Sequence, residues 1–158
     1  MTTLLKANFE EFVRNKKEIS LIISSYQPTS KASDLLRIAL KSFFKLKYKN
    51  VSIWVVDAGS PKSSNLVHPD EFPEANFLIS NYTPRSWTGQ SFLKKTIKSL
   101  LGQKPPRHGS WANGWTLQSS LDYFKHTGYT PKYFMTLQMD IMFTSHNLLE
   151  NLIHKFNK

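Results

Sequence analysis

The sequence predicts one α/β domain over residues 1–158, built on a Rossmann-type, largely parallel sheet flanked by helices. Its strand candidates, such as Ile19–Ile23 and Val51–Val56, are apolar without alternation, which is typical of strands buried on both faces. They alternate with helical patterns, as in sheets whose parallel strands are joined by crossover helices. With 158 residues, of which 40% are hydrophobic, the chain is long enough to bury a core.

The elements can be predicted in order along the chain. Asn8 is expected to cap a short leading helix, which the strand Ile19–Ile23 follows. The next helix is predicted to have Ser33 as its N-cap and Asp34 in its first turn, because an apolar stripe of helical spacing follows. Further buried strands are expected at Val51–Val56, Asn76–Ile79 and Lys132–Leu137, with a loop over Pro61–Pro73. Further helices are expected at Ser110–Thr127, closed by Gly128, and near the end of the chain, where Thr144 or Ser145 is expected to be the N-cap.

The charge is strongly positive and unevenly distributed. Lys and Arg total 21 against 11 acids, a formal net charge of +10, and no acid occurs between Glu74 and Asp122. Such a field attracts nucleic acid, anionic lipid or phosphorylated small molecules, although a solvated basic surface without a partner has the same composition. The chain has no Cys, which excludes disulfide scaffolds and cysteine zinc sites. Lacking a long apolar run and a signal-peptide pattern, it is expected to be cytoplasmic, with peripheral membrane contact as an alternative.

The segment 81–107 is predicted to be an insertion that contains a basic amphipathic helix. Apolar residues between Phe92 and Leu101 share one face of this helix, and Lys94, Lys95 and Lys98 lie on the other. Three interpretations stay open: contact with an anionic membrane surface, a flap over a bound diphosphate, or core packing with the lysines in water.

Asp57 ends the Val51–Val56 strand and is the leading candidate for a binding residue. Ligands of parallel sheets bind at the carboxyl ends of the strands. A carboxylate at this position can accept hydrogen bonds from the N–H edge of a nucleobase. It can equally cap the turn formed by Ala58, Gly59 and Ser60, and both roles stay open.

Four segments, in this order, resemble the inverting family-two glycosyltransferases of the GT-A fold. In that family one strand ends near a Tyr and a small polar residue, and another ends in Val-Asp-x-Gly-Ser. A Gly-x-x-x-Asn segment then opens a helix, and Leu-Asp-x-Asp follows a hydrophobic strand. The matching segments here are Ile19–Tyr26, Val55–Ser60, Gly109–Gly114 and Leu137–Asp140.

The resemblance implies binding of a nucleotide-diphosphate sugar, with a UDP-sugar favoured. Asp57 would contact the base, while Asp140 would hold Mn²⁺ or Mg²⁺ beside the diphosphate. Gln138 stands where the family has the first acid of Asp-x-Asp, so this metal site has one carboxylate fewer. The supporting donor-binding residues are expected to be Ser24, Tyr26, Asn113 and Gln138.

The activity that the resemblance implies is metal-assisted transfer of a sugar, with inversion, to an acceptor that the sequence does not identify. The chain corresponds to the donor-binding part of the family and is expected to lack the acceptor-binding half, so the catalytic base is unassigned. One alternative is a non-catalytic nucleotide-sugar-binding or regulatory domain. A basic nucleic-acid-binding protein is a more distant alternative, and no specific nucleic acid partner is expected.

Overall fold

The computed structural model describes residues 3–6, 17–61, 65–79, 97, 100–101 and 108–157, without the side chains of 3–6 and 108–112. These residues form an α/β fold, which confirms the predicted class. The strands are β1 (Thr3–Lys6), β2 (Ile19–Ser25), β3 (Val51–Asp57), β4 (Asn76–Ile79) and β5 (Tyr133–Gln138). The helices are α1 (Ser30–Phe43), α2 (His108–Thr127) and α3 (Leu148–Phe156), with a short 3₁₀ helix at Pro69–Glu71.

The strands form one sheet in the order β1-β4-β3-β2-β5. The four strands β4, β3, β2 and β5 are parallel, and β1 pairs antiparallel with β4. From β2 the chain proceeds outward through β3 and β4, then returns to place β5 on the other side of β2. This reversal of strand order opens a crevice at the carboxyl ends of β2 and β5, the usual ligand-binding position in such sheets.

Each face of the sheet has its own hydrophobic core. On one face, buried residues of β2 and β3 such as Leu21 and Val55 belong to a cluster with residues of α1 and α3. On the other face, Ile22 and Trp54 pack with residues of α2 and with the loop that follows it. Trp54 and Phe124 lie with ring centroids 4.8 Å apart, which holds α2 over the middle of the sheet.

Helix α1 begins at Ser30, four residues earlier than the predicted N-cap at Ser33 implies. Thr29 has extended backbone angles and its side chain accepts a hydrogen bond from Ala32 N–H at 3.3 Å, so Thr29 is the cap. Ser33 is buried within the helix, and the first turn contains no acid, so the predicted position of Asp34 was also wrong. The apolar stripe located the helix correctly, but several hydroxyl residues precede it and only the backbone conformation selects among them.

Strand β5 lies at the predicted position but is not buried on both faces. Its residues alternate between half-buried and exposed, because β5 is the edge strand and its second face is only partly covered by α2. Strand β1 was not predicted, and the helix expected after Asn8 lies outside the described residues.

Most of the predicted insertion, including Lys94, Lys95 and Lys98, also lies outside the described residues. Within it Ile97 and Leu100 are helical, and Leu101 N–H donates to the Ile97 carbonyl at 3.0 Å. All three apolar side chains are exposed. Within the described part of the chain, no helix has both the length and the apolar character needed to cross a membrane.

Candidate functional site

A cavity of about 410 Å³ lies at the carboxyl ends of β2 and β5, where the strand order reverses. The two strands form its floor, and the first turns of α2 form one wall. Residues from the turn after β5 complete the lining. The lining residues are Ile22, Ser24, Asn113, Gly114, Thr116, Leu117, Thr136, Leu137, Gln138 and Ile141.

The floor of the cavity follows from the register of the two strands. Ile22 pairs with Thr136, and Ser24 pairs with Gln138. Because side chains alternate along a strand, these four residues share the sheet face that looks toward α2. The sequence interval of two residues on each strand therefore places Ile22 and Thr136 below, and the polar pair Ser24 and Gln138 at the rim.

The wall of the cavity is formed by one stripe of α2. Asn113, Gly114 and Leu117 lie within a single turn, and a Cβ added to Gly114 would meet no atom within 4 Å. The Thr116 hydroxyl lies 2.9 Å from Ser24 Oγ and 3.0 Å from the Asn113 carbonyl oxygen. Thr116 is buried. Through these hydrogen bonds its hydroxyl links the start of α2 to the end of β2.

The chemistry of the cavity is neutral. Its polar side chains are the hydroxyls of serine and threonine and the amides of Asn113 and Gln138, and none of the lining residues is ionisable. Amides and hydroxyls both donate and accept hydrogen bonds, which suits sugar hydroxyls or the edge of a base. Apolar side chains between them offer contact to the ring faces of such a ligand.

Asp57 lies one strand away from this cavity, where β3 pairs Asp57 with Ser25. Its Oδ2 accepts the Ser60 N–H at 2.8 Å, and its Oδ1 accepts a short hydrogen bond from the Ser60 hydroxyl. Ser60 Oγ in turn accepts the Gln27 N–H at 2.7 Å. The turn-capping role considered from the sequence is thereby confirmed, and contact with a base stays a prediction. A carboxylate has about four acceptor positions, so these bonds leave it able to accept more.

Burial raises the pKa of the Asp57 carboxyl above its ordinary value, and hydrogen bonds from Ser60 and Gly59 partly offset this effect. The folded protein therefore holds this proton more tightly than the unfolded chain does. Protonated Asp57 therefore stabilises the folded state. This stabilisation is fully present below 3.8, the pKa of the carboxyl in the unfolded chain, and is lost as the pH rises through the higher pKa of the folded protein.

We expect this loss to disappear in Asp57→Asn, whose amide does not titrate. The free energy of unfolding of D57N relative to the wild type should increase as the pH rises from the unfolded pKa through the folded pKa of Asp57, and then level off. Urea unfolding of both proteins across this pH range measures the difference, in which the contributions of the other acids cancel. A flat difference would mean that burial does not raise this pKa.

The other predicted residues occupy the same edge of the sheet outside the cavity lining. Tyr26 is half-buried just beyond β2. Asp140 is exposed in the turn after β5, which Ile141 N–H closes by donating to the Gln138 carbonyl at 3.2 Å. The structure thus brings Ser24, Asn113 and Gln138 into one cavity, while Asp57, Tyr26 and Asp140 flank it without being among its lining residues.

The residues that could hold a metal ion are few. No group of three or more His, Cys, Asp or Glu side chains suited to a cation occurs among the residues that the structure describes. Asp140 and the neighbouring Gln138 offer carboxylate and amide oxygens, which are the donors that Mg²⁺ and Mn²⁺ accept. Mg²⁺ is commonly held by one or two carboxylates together with substrate phosphates. The donor set therefore fits a cation that arrives with a diphosphate.

The chain matches no protein-family model, and no curated protein is significantly similar to it.

Among the lining residues that the sequence did not single out are Thr136, Gly114 and Thr116. Thr136 could have been found by alternation, since it lies two residues before Gln138 on the same strand face. Gly114 and Thr116 follow Asn113 on α2, but helical spacing alone does not show which stripe faces the sheet.

Proposed function

We propose that this protein binds a nucleotide-diphosphate sugar, favouring a UDP-sugar, and transfers the sugar to an acceptor with inversion. The observation that carries the proposal is the convergence of Ser24, Asn113 and Gln138 in one cavity where the strand order reverses. These three residues were selected from separate segments of the sequence, and the fold places them around one space. The position is the one at which Rossmann-type sheets bind nucleotides.

The proposed ligand lies along the carboxyl ends of β3, β2 and β5. The base contacts the free acceptor positions of Asp57, which is two strand spacings, or roughly 10 Å, from Gln138. The neutral hydroxyls of ribose or sugar fit the amides and hydroxyls of the cavity. The diphosphate extends toward the exposed Asp140, in a chain whose net charge of +10 attracts anions.

In the proposed reaction an acceptor hydroxyl attacks the anomeric carbon while the bond from that carbon to the phosphate oxygen breaks. The nucleoside diphosphate leaves with the electron pair, and a general base takes the hydroxyl proton. A divalent cation, when bound, would neutralise charge on the leaving diphosphate. Asp140 and Gln138 would hold that cation, and Ser24 and Asn113 would orient the neutral part of the donor.

The first test is a thermal-shift panel with UDP, GDP, dTDP, CDP and ADP, each with and without Mn²⁺. A nucleotide at a hundred times its Kd adds about 2.7 kcal/mol, which raises the Tm of a domain of this size by roughly 5 to 10 °C. We expect one diphosphate, UDP, to give such a shift, and Asp140→Asn to reduce the part that depends on Mn²⁺. Asp122→Asn is the matched control, because Asp122 is an exposed acid of α2 that accepts a hydrogen bond from Gln118 and lies outside the cavity lining.

No shift with any nucleotide, under conditions where the protein is folded, would exclude the donor site. The neutral lining of the cavity specifically favours one alternative, a domain that binds the donor without catalysis, because none of its lining residues is a general base. Release of UDP from UDP-sugars in the presence of candidate acceptors distinguishes the two functions. Turnover that Asp140→Asn abolishes supports the enzyme, and tight binding without turnover supports the binding domain.

A further inference from the structure

Thr116 is a lining residue of the cavity whose hydroxyl is directed at other protein groups. Its side chain is buried, with 1% of the residue exposed. Its hydroxyl oxygen lies 2.9 Å from Ser24 Oγ and 3.0 Å from the Asn113 carbonyl oxygen, and both partners line the cavity. Because so little of Thr116 is exposed, its hydroxyl can affect a ligand chiefly through the groups that it holds.

Of these two partners, Ser24 depends more on Thr116. The Asn113 carbonyl belongs to α2, and helical carbonyls also accept the N–H of the residue four positions later. The Ser24 hydroxyl, by contrast, can rotate about the Cα–Cβ bond among three staggered positions. Ser24 is half-buried at the rim of the cavity, and its bond with Thr116 selects one of these positions.

The same hydrogen bond determines what Ser24 can offer a ligand. When the Thr116 hydroxyl donates to Ser24 Oγ, the Ser24 oxygen uses one lone pair and keeps its own proton for another acceptor. A hydroxyl that receives a hydrogen bond is polarised and donates more strongly in turn. Ser24 pairs with Gln138 across the two strands of the cavity floor, so this proton is available beside the Gln138 amide.

We propose that Thr116 is a positioning residue that acts through Ser24, by holding the Ser24 hydroxyl as a hydrogen-bond donor to an oxygen of the bound nucleotide sugar. This inference rests on the proposed function, since it requires a ligand in the cavity. It adds that the ligand atom opposite Ser24 is an acceptor, such as a hydroxyl oxygen of the ribose or of the sugar. It also makes the affinity contributed by Ser24 dependent on Thr116.

The test is isothermal titration calorimetry with UDP and with UDP-glucose, each with Mn²⁺, or with the corresponding pair for whichever nucleotide the thermal-shift panel identifies. Ser24→Ala removes one neutral hydrogen bond and should raise the Kd of at least one of the two ligands by roughly two- to tenfold. Thr116→Val keeps the branched shape of the side chain and removes the hydroxyl. It should raise the same Kd by about threefold, because Ser24 regains its three positions.

A double variant distinguishes positioning from a general structural role. If Thr116 acts through Ser24, adding Thr116→Val to Ser24→Ala should leave the Kd of the Ser24→Ala protein unchanged. A distortion of the cavity would instead weaken binding in both backgrounds. Thr116→Ser, which retains the hydroxyl, should bind with nearly the affinity of the wild type.

Thr127→Val is the matched control. Thr127 lies on the same helix, and its hydroxyl donates to the Tyr123 carbonyl at 2.9 Å, so the substitution also removes a bond from a threonine to a helical carbonyl. Thr127 is outside the cavity lining. The variant should therefore leave the Kd of both ligands unchanged. Urea unfolding checks that every variant is folded under the conditions of the titrations.

Each outcome has a distinct meaning. If neither ligand binds to folded wild-type protein, the proposed function is overturned, and this inference with it. If the wild type binds and Thr116→Val binds equally well, only the positioning role is overturned. The same holds if the effect of Thr116→Val persists in the Ser24→Ala background. A rise in Kd that requires Ser24 and that Thr116→Ser avoids supports the proposal.

Discussion

Gly114→Phe is expected to abolish nucleotide binding while the protein stays folded. Gly114 lines the cavity from the first turns of α2, and apart from its chain neighbours and the helix's own backbone, no described atom lies within 4 Å of the position that a Cβ would occupy. A phenyl ring attached there is expected to compete with a ligand for the cavity of about 410 Å³ that Gly114 lines. We expect the Kd for the bound nucleotide to rise by at least tenfold, about 1.4 kcal/mol, measured by isothermal titration calorimetry.

Gly114→Ala is the matched control for this prediction. One methyl group leaves most of the cavity open, and alanine is more favourable than glycine within a helix by about 0.8 to 1.0 kcal/mol. The variant should therefore bind normally and unfold at a slightly higher temperature. If Gly114→Phe binds the nucleotide as the wild type does, the ligand does not occupy this cavity, even where the thermal-shift panel shows that binding occurs.

Asp57→Ala is expected to lose nucleotide binding and also stability. Removing the carboxylate leaves the half-buried Ser60 N–H without its acceptor and frees the Ser60 hydroxyl that receives the Gln27 N–H. An unsatisfied donor of this kind costs about 1 to 3 kcal/mol. Urea unfolding should show this loss, and calorimetry should show that the Kd of the nucleotide rises by at least tenfold, since a base would lose its hydrogen-bond acceptor.

Two further variants distinguish the role of Asp57 in the turn from its expected role in nucleotide binding. Ser60→Ala removes the hydroxyl that joins Asp57 to Gln27 but keeps the carboxylate, so it should lose stability and still bind. Asp57→Asn keeps one acceptor oxygen for the turn but replaces the other with a donor, so it should stay stable and bind poorly. If Asp57→Asn bound the nucleotide with full affinity, Asp57 would cap the turn and would not contact the base.

The parallel core of the fold could be predicted because its signals are local. An apolar run such as Val51–Val56 has to be buried on both faces, and helical periodicity between such runs requires crossovers. Gly128 at the end of α2 has a φ of +69°, the left-handed conformation that the sequence assigned to it by position. The cap of α1 was misplaced because Thr29, Ser30 and Ser33 all carry suitable hydroxyls.

The site was predicted only in part. Asp57 was selected because it ends a strand, which can be recognised from sequence, and Gln138 because the family resemblance places it at the first acid of Asp-x-Asp. The cavity could not be predicted, since it depends on which side of β2 the last strand joins and on which stripe of α2 faces the sheet. Thr136 and Gly114 become site residues only through these two choices. The exposure of β5 has the same origin, because an apolar run does not reveal whether its strand has one neighbour or two.

The sequence by itself determined the fold class, the positions of the parallel strands and the polar residues at their carboxyl ends, since burial and turn chemistry act over a few neighbouring residues. Only the tertiary structure decided the order of the strands, and with it the cavity and the position of β5 at the end of the described sheet. Strand order depends on contacts between residues far apart in the chain: Ser24 and Gln138 meet across more than a hundred positions. Such contacts leave little trace in the local pattern of either segment.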